Sequence, residues 1–128
     1  MRLAKLYLSC RNLINAHLQS GAQAEQAAYE FLLAQGLTLV ARNFSCAYGE
    51  LDLIMLDKQM LVIVEVRFRK SEAFGGAIAS ITAKKRAKII ATTQFYLQQT
   101  GLKNAVRFDV VAISGVKGLQ WIQNAFQA

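Results

Sequence analysis

Two carboxylates stand inside strongly apolar, strand-like runs: Asp52 in Gly49-Glu50-Leu51-Asp52-Leu53-Ile54, and Glu65 in Leu61-Val62-Ile63-Val64-Glu65-Val66-Arg67. A charge among such residues is costly unless something compensates it. If Asp57-Lys58-Gln59-Met60 closes a hairpin, as a two-residue turn at Lys58-Gln59 or a four-residue loop, Asp52 falls opposite Glu65 and Glu50 opposite Arg67. Alternation along the strands then puts all four side chains on one face. Two carboxylates with β-carbons roughly 4.5 to 5.5 Å apart repel each other across a ladder; a divalent cation reverses that sign. Magnesium takes one or two carboxylates together with water and phosphate oxygens, which is what such a pair beside a nucleic-acid backbone offers. A half-exposed hairpin with its charged face in water is the plainer reading. Against it, Leu61 to Val64 is apolar on both faces, so Glu65 lies where a buried strand leaves the core, and Asp52 is flanked by Leu51, Leu53 and Ile54. The turn lacks Asn-Gly, the pair that most firmly fixes a hairpin register.

The elements that must position these acids follow from periodicity. Residues 1–20 form an N-terminal amphipathic extension, with Leu3, Leu6, Cys10, Leu13 and Ile14 on one side, and residues 21–128 a single domain. Ser20-Gly21-Ala22-Gln23 reads as a capping box opening a helix that ends at Gly36, with Ala24, Ala28, Phe31 and Leu32 turned inward. Glu25 lies in its first turns, where the helix dipole favours an acid in any case; the functional reading leans it toward the carboxylate pair. Strands are expected near Leu37 to Cys46, Glu50 to Leu56 and Leu61 to Phe68, as a meander, followed by a loop from Ser71 to Gly76. A second helix runs from about Ser80 to Thr100, with Ala83, Ala87, Ile90 and Leu97 as its inner stripe. Closing strands span Val106 to Ile113 and Leu119 to Ala125, which gives the order α-β-β-β-α-β-β.

The second helix opens on Lys84, Lys85, Arg86 and Lys88. Cations there oppose the macrodipole by about 0.3 to 1 kcal/mol each when exposed, so they do not serve the helix. Phosphate binding is the natural alternative to a merely solvated basic face. The chain of 128 residues carries 15 basic and 8 acidic residues, a net charge of +7, which favours a polyanion, nucleic acid or an anionic membrane face, as partner. A hydrophobic content of 54% is ample for one core. No apolar run approaches the roughly 18 residues that span a bilayer, and Lys5 and Arg11 interrupt a signal-peptide core, so the cytoplasm is the expected location, without membrane insertion. Cys10 and Cys46 suggest no disulfide framework, and His17 is the only histidine, which leaves zinc almost without ligands. No aromatic-rich RNA motif stands out, and Tyr48 and Phe68 read as packing residues.

These residues resemble the YraN-like family, small bacterial proteins of restriction-endonuclease-like fold related to archaeal Holliday-junction resolvases and the wider PD-(D/E)xK nucleases. The matching pieces are Gly21 to Glu25 before Ala28 and Leu32, Arg42-Asn43, Gly49 to Ile54, Val64-Glu65-Val66-Arg67, Phe74-Gly75 with Ala77, and Arg107-Phe108-Asp109-Val110-Val111. The resemblance implies an α/β fold with a mixed sheet flanked by helices, Asp52 and Glu65 as ligands of magnesium or manganese, the backbone carbonyl of Val66 as a further ligand, and Glu25 as a third acid. It departs at Arg67, where the family's nuclease motif has lysine. Lysine can hold or deprotonate the attacking water, whereas arginine stays protonated and acts through charge and hydrogen bonds alone. Arg67 could still stabilise the transition state or simply pair with Glu50, and Lys70 or Lys84 could take the lysine role.

The leading expectation is a nucleic-acid-binding protein of endonuclease-like fold, a metal-dependent DNA phosphodiesterase in which Asp52 and Glu65 hold the metal and Arg67 supports the developing charge. Arg69, Lys70, Lys84, Lys85, Arg86 and Lys88 would grip flanking phosphates without reading bases. A homodimer, as in junction-cutting relatives, stays open. The first alternative is a binding module that kept the fold and lost the chemistry through Arg67. The second is a partner- or membrane-surface protein acting through residues 1–20.

Overall fold

Leu61, Val62, Ile63 and Val64 are each at most 2% exposed, as a strand covered on both faces must be. They belong to β3 (Met60–Arg69), the middle strand of a five-stranded mixed sheet. The computed structural model describes residues 20–69, 81–115 and 118–128. Residues 1–19 of the expected amphipathic extension, Lys70 and the loop expected from Ser71 to Gly76 lie outside the described residues.

The strands run in sequence order across the sheet: β1 (Thr38–Cys46), β2 (Gly49–Asp57), β3, β4 (Val106–Ser114) and β5 (Gly118–Phe126). Neighbours are antiparallel except β3 and β4, which are parallel and joined across a long crossover. Among the described residues two helices cover the faces. The first, α1 (Gly21–Ala34), buries Ala24, Ala27, Ala28, Phe31 and Leu32 against Leu53, Met55, Val62 and Val64. The second, α2 (Ala83–Thr100), sits in the crossover and packs Ile89 and Tyr96 on Leu51, Ile54, Leu61 and Ile63. This is the α/β order read from the sequence, helix, three strands, helix, two strands.

Helix ends follow their local chemistry. Ser20 caps α1, its hydroxyl accepting the N–H of Gln23 at 3.3 Å, and Thr82 caps α2 by accepting the N–H of Lys85 at 3.1 Å. Gly101 closes α2 in the left-handed conformation, φ 76°. The inner stripe of α2 differs from expectation: Ala83 and Ala87 are exposed, Ile90 and Leu97 are half-buried, and Ile89, Thr92, Thr93 and Tyr96 are buried. The two threonines can occupy the core because their hydroxyls donate to the carbonyls of Lys88 and Ile89 at 2.7 and 2.8 Å, leaving only methyl surface to pack.

The hairpin between β2 and β3 closes by pairing Asp57 with Met60, the two-residue alternative, and the ladder continues to Leu53 opposite Val64. Lys58 takes φ 58° in that turn, a conformation disfavoured for a lysine and tolerated by asparagine. Lys58→Asn is therefore expected to stabilise the protein by about 0.5 to 1 kcal/mol, a rise in Tm of about 2 to 4 °C. A lowered Tm in thermal denaturation would show that the lysine is not strained there.

Candidate functional site

The ladder between β2 and β3 stops where the two acids begin. Beyond Leu53 and Val64, the N–H of Val66 donates to Asp52 Oδ2 at 2.9 Å. A strand N–H points in the plane of its sheet, so the Asp52 carboxylate lies in the gap between the strands instead of above one face. Leu51 and Leu53, two residues apart on β2, pack into opposite layers, so the alternation breaks at Asp52. Asn43, whose neighbours Arg42 and Phe44 pair with Leu53 and Leu51, carries φ 51° at the same level of β1. These features correct the expectation that Glu50, Asp52, Glu65 and Arg67 share a face. The break at Asp52 leaves Glu50 on the side of Glu25, whose carboxyl feels its charge, while Arg67 approaches Glu65, with Nη1 3.9 Å from Oε1.

Asp52 thereby becomes the middle of three acids. From α1, half-buried Glu25 reaches its carboxylate, and from β3, buried Glu65 does so from the other side. Burial and the Asp52 charge hold the Glu25 carboxyl above its usual range, and the charge of Glu50 adds to this while Arg42 opposes it. Burial, then the Asp52 charge, push Glu65 up to about 7, although Lys85 and Arg67 pull the other way. Both glutamates are thus held above the ordinary carboxylate range by burial and by the charge of the aspartate between them.

The basic residues divide into two groups. Lys85 Nζ lies 3.6 Å from Glu65 Oε1, from the first turn of α2. Lys84, Arg86 and Lys88 are exposed on the same helix, and Arg69 is exposed at the end of β3. Because α2 begins at Ala83, the cluster falls squarely on the helix N-terminus, where nothing in the helix itself rewards it. Of the described lysines it is Lys85 and not Lys84 that meets the acids, because position N3 of α2 faces the sheet. Placing Thr82 as N-cap sets Lys85 at the third helical position, and the docking of α2 on the sheet turns that position toward Glu65.

A cation would fit two carboxylates, the backbone carbonyl of Val66 and water, the hard-oxygen set that magnesium prefers. Among the described residues no group of three His, Cys, Asp or Glu side chains forms a ready metal cage. The buried Asp109 is a different matter: its carboxylate accepts Arg107 Nε and Nη2, Trp121 Nε1 and the N–H of Asn124, all between 2.9 and 3.0 Å. That acid is fully paired and holds β5 onto β4. Tyr48, read as a packing residue, is instead 57% exposed, whereas Phe68 does pack against the core. No helix among the described residues is long and apolar enough to cross a membrane.

Residues 24–113 match the profile of a family described as "Uncharacterised protein family UPF0102". Among similar proteins, a UPF0102 protein of Nitrosococcus oceani is 48% identical over 87% of this chain and 94% of its own length. One of Pseudomonas fluorescens is 49% identical over 88% and 97%, and one of Saccharophagus degradans 51% over 86% and 94%.

Proposed function

Since the chain belongs to the uncharacterised protein family UPF0102, we propose from its own residues that it is a nucleic-acid-binding protein hydrolysing DNA phosphodiesters with magnesium or manganese. One observation carries the reading: Glu25, Asp52 and Glu65 converge where β2 and β3 part, with Lys85 against Glu65. Three carboxyls crowded into a partly buried gap are costly as a structural device alone, and a bound cation removes that cost.

In this reading Asp52, Glu65 and the carbonyl of Val66 hold the ion, with Glu25 bonded to Asp52 from behind. A bound magnesium or manganese ion lowers the pKa of its water and neutralises the scissile phosphate. Lys85 supplies the ammonium that the nuclease pattern has two residues after the second acid, where Arg67 stands here. It offers three donors to orient the attacking water. Arg67 stays protonated and supports charge on the phosphate oxygens. Arg69, Lys84, Arg86 and Lys88 give phosphate contacts that position DNA without specifying sequence; Lys70 keeps its proposed place in that set.

The test is cleavage of labelled single-stranded, duplex and four-way-junction DNA in magnesium and in manganese. Asp52→Asn and Glu65→Ala are expected to abolish cleavage, and Lys85→Met to slow it about 10²- to 10⁴-fold. Cleavage that survives Glu65→Ala would remove this site from the chemistry. Salt-sensitive binding without turnover would favour the second reading, a binding module silenced at Arg67. The observation behind that reading is that the residue beside Glu65 on its own strand is a permanently charged arginine.

A further inference from the structure

Tyr48 is the most exposed of the exposed large hydrophobic side chains among the described residues, yet the turn that carries it is firmly seated. At Gly49, φ 151°, an added Cβ would stand 3.1 Å from Thr92 Oγ1 and 3.7 Å from Lys88 Cβ, so the β1–β2 turn rests directly on α2. The ring of Tyr48 is braced by Phe95, with centroids 5.9 Å apart, and Phe95 in turn by Phe44 at 6.3 Å. A large aromatic surface is thus held rigidly and left open to solvent. Rigid aromatic surface costs little conformational entropy to use in binding.

Its surroundings indicate what it would bind. Between Tyr48 and α2 lies a cleft of about 220 Å³, with Gln94 and Gln98 on its wall. Lys84 and Lys88 precede Ala91 and Phe95 on the same stripe of the helix, at spacings of four, seven and eleven residues, and both are exposed. An apolar peptide or an acyl chain would leave two amides and two ammonium groups facing hydrocarbon. An unpaired base has a π-face for the ring, polar edges for the amides, and a backbone whose phosphates continue along the lysine stripe.

We propose that Tyr48 and Phe95 form a stacking platform for an unpaired base of single-stranded nucleic acid, with Gln94 and Gln98 at the base edge, Lys88 toward the adjoining phosphate and Lys84 toward one further along the strand. The proposal rests on the nucleic-acid reading above and deepens it, since it names the strand state preferred. Tyr48 lies on the same hairpin as Asp52, four residues earlier in the chain, about 13 Å along an extended strand, so a stacked base is about two nucleotides from the carboxylates. Stacking tolerates any base, so the platform selects unpaired structure and not sequence.

Anisotropy titrations of the full chain with a fluorescein-labelled thymidine 15-mer, the same strand as a duplex, and an abasic 15-mer test this, in EDTA so that no cleavage intervenes. Tyr48→Ala is expected to weaken single-strand binding about 5- to 100-fold, the loss of one stacked base, and to leave duplex and abasic binding within about twofold. Tyr48→Phe is expected to retain single-strand affinity. Thermal denaturation of each variant checks that an exposed substitution has left the fold intact. If the wild type binds duplex while Tyr48→Ala keeps full single-strand affinity, the platform is overturned and the nucleic-acid reading stands. Equal losses on all three probes also overturn it, since they report a charge or folding effect. A wild type that binds none of the three overturns both.

Discussion

Asp109→Ala is expected to remove about 3 to 5 kcal/mol of folding stability, the range measured when one partner of a buried ion pair is deleted. Asp109 is wholly buried and accepts four hydrogen bonds, two of them from the Arg107 guanidinium. Without the carboxylate, a largely buried cation, an indole N–H and a backbone N–H lose their acceptor together. Among the described residues Arg107 then retains Asp57, 3.2 Å away. A typical domain has about 5 to 15 kcal/mol in total, so this one change takes a large share and is expected to leave β5 frayed. Urea denaturation measures it. A loss below about 1 kcal/mol would mean that water replaces the carboxylate and that the network is dispensable. A double-mutant cycle with Arg107→Met is expected to show coupling above about 1 kcal/mol, because the bidentate pair acts as a unit.

Stability is also expected to decline as pH rises from about 4.5 to about 7, and Glu65→Gln to abolish most of that decline. Burial and the neighbouring Asp52 raise the Glu65 carboxyl from an ordinary 4.5 to about 7 in the folded protein. The folded state therefore binds this proton more tightly than the unfolded chain does. Its contribution is fully present below about 4.5 and is lost as pH climbs through about 7. Glu25 shifts in the same direction and adds to the trend. At pH 8 the neutral amide of Glu65→Gln is expected to make the protein more stable than wild type, by at most about 3 kcal/mol. Melting temperatures from pH 4.5 to 8 in EDTA read this directly. Parallel curves for wild type and variant would mean that Glu65 ionises without strain. Manganese at pH 8 is expected to raise the melting temperature of the wild type and not of Glu65→Gln, since the ion replaces the proton between the carboxylates. By the same competition its effect weakens below pH 7.

The two expectations concern acids that look alike in the sequence. Asp52, Glu65 and Asp109 each interrupt an apolar run, and a charge in such a run signals that something must compensate it. What compensates it differs. Asp109 has arginine two residues earlier on its own strand, and β5 brings the Trp121 and Asn124 donors across the ladder. Asp52 and Glu65 instead meet each other and Glu25, with Lys85 and Arg67 alongside Glu65 and the Val66 N–H on Asp52. The apolar context marks all three residues, and partners distant in sequence separate the structural acid from the candidate site.

Features governed by near neighbours were legible in the residues alone. The buried central strand, the helix caps at Ser20 and Gly101, the β2–β3 register and the order of elements all follow from periodicity, capping and turn chemistry, which act over a few positions. The tertiary structure decided the rest. Asp52 leaves its face because β1 and β2 kink together and the β2–β3 ladder ends, an event of three strands at once. Lys85, not Lys84 or Arg69, meets Glu65 because the capped start of α2 docks on the α2 face of β3, some twenty residues further along the chain. Tyr48 stays open to solvent because Gly49 presses the turn onto α2 and leaves the ring at the edge of the packing. Period and propensity determine which residues are buried and which elements form. Which charges end up within reach of one another depends on the docking of elements, and no local pattern encodes it.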